Sequence, residues 1–102
     1  MEIMINTKKV SLILTTHNSK ENFLKTYESI RQQDYSDIEI VVIDGASTDD
    51  TLAEIQKCAG WEAGRLKWIS EKDHGIYDAI NKGIGLASGD LIVIFNDIFY
   101  TN

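Results

Sequence analysis

The sequence contains no proline, so no proline-rich tract punctuates it, and no internal repeat, low-complexity segment or linker divides it. Cysteine occurs once, at Cys58, which excludes an internal disulfide and fits a reducing, cytoplasmic compartment. Basic residues are few: 10 Lys and Arg stand against 16 Asp and Glu, a net charge of −6. That field argues against nucleic acid and anionic membranes as partners. A phosphate-bearing ligand would need a metal, helix N-termini or local cations to offset it. No apolar run approaches the roughly 18 residues of a membrane span, so no transmembrane segment is expected. Residues 1–9 include Glu2 and lack a continuous apolar core, unlike a signal peptide.

Several nucleotide and hydrolase signatures are also missing. The turn after the first apolar run reads T-T-H-N-S, not the G-x-G-x-x-G of a dinucleotide fold. There is no G-x-x-x-x-G-K-[ST] phosphate loop and no G-x-S-x-G nucleophile elbow. His17, His74 and Cys58 lack zinc-ligand spacing.

What is present is an ordinary globular composition, 43% apolar and 25% charged, in 102 residues, enough for one domain with a core. Strand-like and helix-like patterns alternate. Val10–Thr15, Ile38–Asp44, Leu66–Ser70 and Leu91–Phe95 read as strands, the first, second and fourth as buried ones. A helix capped by Asn18 or Ser19 runs to about Gln32, with Phe23, Leu24, Tyr27 and Ile30 on its core face. A second helix opens on a Ser47-x-x-Asp50 capping box, carries Leu52, Ile55 and Ala59, and ends at Gly60. A third presents Ile76, Ile80 and Ile84 on one face and fades near Ala87. Four alternations with short connections predict an α/β fold: a three-layer, Rossmann-like, mostly parallel sheet with right-handed crossovers and helices on both faces.

In a parallel sheet all strands end on one edge, and that edge is the ligand crevice. Thr15, Thr16, His17 and Asn18 fall at the end of the first strand, Asp44 at the second, Glu71 and Asp73 after the third, Asn96 and Asp97 at the fourth. Each has a plainer reading. Thr16 and Asn18 suit turns and caps, Asp44-Gly45 suits a turn, and Asp73 suits a loop. Asp49 and Asp50 favour a helix start whatever the function. His74 reads as structural or solvent-facing, and Trp61, Trp68 and Tyr77 as packing residues, Tyr77 near the crevice. The joint occurrence of polar groups at four strand ends favours a nucleotide-sized site.

These residues carry a resemblance. TTHN, then SIRQQDY, IVVIDGASTDDT and WISEKDHGIYDAINKGIGLASGD, in that order, closely resemble family 2 glycosyltransferases from about Val10 to Asp97. The resemblance implies the GT-A fold and transfer of sugar from a nucleotide-diphosphate sugar to an acceptor hydroxyl, in cell-wall or polysaccharide biosynthesis. It implies donor-binding roles for Thr16, Asn18, Asp44, Asp73, Gly75 and Asn81, with Gly83 in the same helix element and Gly89 and Asp90 in the turn before the fourth strand. It places a metal site, for Mg²⁺ or Mn²⁺, at Asn96 and Asp97. There the chain departs from the family, because Ile98 stands where a metal-binding carboxylate is expected.

The chain reaches Asn102 just past that site, whereas family members continue for another hundred residues or more. Residues 1–102 are therefore expected to form a single nucleotide-sugar-binding domain, a truncated, donor-binding half without acceptor site or catalytic base, and inactive by itself. The alternative is a non-catalytic nucleotide-binding remnant. A receiver-like regulatory domain fits poorly, since it would want an acidic pair where Thr15 and Thr16 stand. Apolar surface left uncovered would make a homo-oligomer possible.

Overall fold

The computed structural model describes residues 8–33 and 36–96. The apolar runs become strands β1 (Val10–Thr16), β2 (Ile38–Asp44), β3 (Leu66–Ser70) and β4 (Leu91–Asn96). Between them lie helices α1 (Lys20–Arg31), α2 (Thr51–Trp61) and α3 (Ile76–Leu86). All strand pairs are parallel, in the order β3-β2-β1-β4. The chain winds outward from β1 to β3, then α3 carries it back to β4 on the far side of β1. The direction of winding therefore reverses at β1 and β4, where α/β sheets open their ligand crevice.

Alternation along the strands builds two cores. Leu12, Leu14, Ile40 and Val42 face Phe23, Tyr27 and Ile30 of α1 and Ile55 and Cys58 of α2. Ile13, Val41 and Ile43 face α3 through Ala79. A Cβ on Gly83 would lie 2.5 Å from Ile13 Cγ2, so α3 seats closer to β1 than any side chain there would allow. Burial pushes the Cys58 thiol up to about 11, leaving it a small apolar group rather than a reactive one.

Several expectations need correcting. β4 is not a buried strand: Leu91–Phe95 are 39–52% exposed. It is an outer strand, while α3 lies over β1 and β2 and α2 against β3. On α3 the buried positions are Ala79 and Gly83, and Ile84 is exposed. Small residues win that face because the helix sits so close to Ile13. α2 runs through Gly60 to Trp61, and the chain turns instead at Ala63 and Gly64, both with positive φ. Tyr77 and Trp61 are exposed rather than packed away, although Trp61 still touches Tyr27.

Candidate functional site

The edge formed by the C-terminal ends of the strands is built by three connections clamped to one another. After β1, Asn18 takes a left-handed φ of 47°, which turns its amide toward the β2–α2 connection. Its Oδ1 accepts from Thr48 N at 2.7 Å and Asp49 N at 3.2 Å, and its own N–H donates to Ser47 Oγ at 2.8 Å. His17 adds a second clip, with Nδ1 donating to the Gly45 carbonyl at 2.8 Å.

Asp44 is fully buried at the end of β2. Its Oδ1 accepts from Ser47 Oγ at 2.5 Å, and its Oδ2 accepts from Ser47 N at 2.9 Å and Ser70 Oγ at 2.7 Å. Both oxygens are thus engaged within the protein, joining the ends of β2 and β3. This replaces the expected capping box: Ser47 serves Asp44, and Asp50 occupies the N-cap position without a side-chain cap bond. Asp49 opens α2 instead, accepting from Thr51 N at 2.9 Å and from the Thr51 hydroxyl, which holds its carboxyl below the usual aspartate range. Ser19, not Asn18, is the N-cap of α1, and its hydroxyl turns back to the His17 carbonyl.

The third connection, Glu71–Gly75, leaves β3 and enters α3. Glu71 N donates to the Asp44 carbonyl at 3.0 Å. Asp73 Oδ1 accepts from Gly75 N at 3.3 Å, and Asp78 Oδ2 accepts from His74 N at 2.9 Å. Gly75, with φ 112°, turns the chain into α3. Lys82 reaches across to Glu71 and Asp78 and donates to the Lys72 carbonyl at 3.0 Å, pinning the loop to the helix. Asp73 Oδ2 lies over Gly45, 2.9 Å from where a Cβ would stand. Two side-chain atoms here are buried with no partner among the described residues, Asp73 Oδ2 and Thr16 Oγ1.

Residues 11–97 match the profile of the family described as Glycosyl transferase family 2. The chain belongs to that family. An uncharacterized glycosyltransferase of Mycobacterium tuberculosis is 43% identical over 90 residues, 87% of this chain and 33% of that relative. The mannosyltransferase PcManGT of Pyrobaculum calidifontis, solved with GDP-Man and Mn²⁺, superposes with a TM-score of 0.81 at 29% identity, over 88% of this chain and 27% of that one. TarS of S. aureus, solved with UDP-GlcNAc, superposes at 0.78 and 27% identity, over 87% and 26%. The fold is the parallel α/β sheet of these GT-A glycosyltransferases. The chain spans about a third of the length of the curated relatives it matches.

Within this family 2 domain the sheet edge gathers Thr16, Asn18, Asp44, Asp73 and Gly75 around Gly45 and the end of β1. Asn81 does not join them. It is exposed on α3, two residues from each of the buried Ala79 and Gly83, and therefore on the outer side of the helix. Asn96 pairs with Thr15 in the sheet, so the backbone of β4 reaches the same edge. Asp97 lies outside the described residues, as does Ile98. Among the described residues no group of three His, Cys, Asp or Glu could hold a metal ion, and no helix is long and apolar enough to cross a membrane. Sequence reasoning missed Ser47 and Ser70 as partners of Asp44, and Gly45 as the seat of Asp73. Only the parallel register, which sets Asp44 beside Ser70, could have found the second serine.

Proposed function

We propose that residues 1–102 are a single domain that holds a nucleotide-diphosphate sugar at the C-terminal sheet edge. It is the donor-binding part of a glycosyltransferase that passes the sugar to an acceptor hydroxyl. The observation that carries this reading is a pair of buried atoms with no partner among the described residues, Thr16 Oγ1 and Asp73 Oδ2. Leaving such an atom unpaired costs about 1–3 kcal/mol, which a bound ligand with hydroxyls recovers. A sugar nucleotide carries hydroxyls on both ribose and sugar, and PcManGT and TarS are solved with GDP-Man and UDP-GlcNAc.

In this reading Asp73 accepts a donor hydroxyl directly. Thr16 borders the nucleoside. Asp44 and Asn18 shape that side by fixing Ser47, Ser70 and the β2–α2 connection. The N-terminus of α3 at Gly75 faces the diphosphate, offsetting its charge in a chain of net charge −6. Asn81, exposed on the outer side of α3, takes no part in this reading. A divalent cation, Mg²⁺ or Mn²⁺, would neutralise the leaving diphosphate. Asn96 and Asp97 would hold it at the end of β4. They supply one amide and one carboxylate, so the donor's phosphate oxygens would complete the hard-oxygen set. Mn²⁺ accompanies the donor in PcManGT. Transfer belongs to a chain of the relatives' full length, and the 102 residues alone bind without transferring. Self-association through the exposed β4 is part of the same reading.

Calorimetry with UDP, GDP and dTDP, each with and without Mn²⁺, tests the donor site. Heat is expected with at least one, and D73N weakens that binding about tenfold or more, the scale of a hydrogen bond to a charged group. No heat with any of the three overturns the reading.

A further inference from the structure

The chain has two arginines, Arg31 and Arg65. Both line one cavity of about 390 Å³. It lies at the opposite edge of the sheet, between the α1–β2 and α2–β3 connections, a strand length or roughly 20 Å from the donor edge. Gln33, Ser36 and Glu62 add polar groups, and Trp61 gives it an aromatic wall. The volume is in the range of small-ligand sites.

Among the described residues the two guanidinium groups are poorly matched by carboxylates. Glu28 stands 3.8 Å from Arg31, beyond a good hydrogen bond, and both side chains are about half exposed. Arg65 donates Nε to the Ile38 carbonyl at 3.1 Å, which leaves its terminal nitrogens for other acceptors. Glu62, the carboxylate in the lining, already accepts from the Tyr27 hydroxyl. Arg31 is held in place by two rings, with its central carbon 5.8 Å from the Tyr27 centroid and 5.9 Å from that of Trp61. Such stacking fixes a guanidinium while leaving its N–H edge free for an oxyanion. Trp61 is 60% exposed, a large apolar surface set beside those cations.

We propose that this cavity is a second ligand site, for a monosaccharide bearing an oxyanion, either phosphate or carboxylate. The guanidinium forks take the oxyanion, the exposed part of the Trp61 indole, beyond its contact with Arg31, takes the apolar face of the ring, and Gln33 and Ser36 take its hydroxyls. The site is independent of the donor edge and of the reading given to it.

An NMR titration of the isotope-labelled protein, followed through the Trp61 indole N–H and the Arg31 and Arg65 Nε–H signals, tests it. Glucose 6-phosphate and glucuronate are the probes, with glucose and inorganic phosphate as controls. Saturable shifts are expected with at least one probe, while the Gly45 amide stays still. R31Q, at a half-exposed position where the fold tolerates change, weakens binding about tenfold or more; R65Q does the same if it folds. Three results overturn the proposal: no saturable shift with either probe, inorganic phosphate alone binding as tightly, or R31Q binding like wild type.

Discussion

At Gly45 a methyl group would sit 2.9 Å from Asp73 Oδ2 and 3.5 Å from His17 Nδ1. Gly45 is not at a positive φ, so its backbone accepts alanine and the penalty is purely one of space. G45A is expected to destabilise the domain by about 1–3 kcal/mol, the usual cost of overpacking. In a D73A background the obstructing carboxylate is gone, and the cost of G45A should fall below about 1 kcal/mol. Denaturant melts of the four proteins in that cycle measure it, and equal costs in both backgrounds would refute the contact. The candidate residues themselves were legible one by one. Thr16 and Asp44 are readable because a run of apolar residues that stops at a polar one marks a strand end, and Asp73 because it follows the third strand in a stretch that resembles the family. Their partners were not. Ser47 and Ser70 meet Asp44 only once two strands lie in register, and whether Asn18 caps its own helix or latches a neighbouring loop depends on the left-handed backbone it adopts.

Elements whose burial depends on local pattern came out as expected, and those whose burial depends on neighbours did not. β2 and β4 are near-identical apolar runs in the sequence, yet β2 is buried throughout and β4 is exposed. The difference lies in sheet position, which follows from pairings between distant segments. Likewise α3 has glycine at position 83 because Ile13 beneath it leaves no room for a side chain, a constraint written on another element. An outer strand of Leu91–Phe95 without charge or proline carries none of the usual protection against edge pairing. Self-association is therefore expected, visible by light scattering as a mass that rises with concentration and is reduced by I92K. A monomer at all concentrations would remove β4 as a contact surface.

At the scale of the whole molecule, one buried carboxylate holds the edge opposite the crevice. Glu39 on β2 is 3% exposed and accepts from Ser11 Oγ at 2.6 Å and Ser88 N at 2.6 Å, with Lys67 Nζ at 3.0 Å and Lys9 Nζ at 3.6 Å. Burial by itself would raise its carboxyl, but the Ser11 hydroxyl, the Ser88 amide and the Lys67 ammonium outweigh it and bring it down to about 2. The folded value lies below the ordinary glutamate value of 4.5, so the stability it confers is complete above that pH and is lost as pH falls toward about 2. A shift of that size corresponds to about 3 kcal/mol. E39Q should be less stable at neutral pH and should lose this part of the acid dependence in melts taken across the same window; an unchanged acid profile would refute it. The alternation of strand and helix announced a parallel α/β fold with helices on both faces, whereas the strand order β3-β2-β1-β4 had no local signature. Around Glu39, Lys9 and Asp90 also bond through their backbones, so the chain enters β1 and β4 side by side. Because the two strands are parallel, they also deliver the chain in the same direction. The chain therefore enters both strands, at Lys9 and Asp90, on the sheet end that holds Glu39, and β4 runs to Asn96 on the end that gathers Asp44 and Asp73, so the edge proposed to take the donor is the one toward which both strands point.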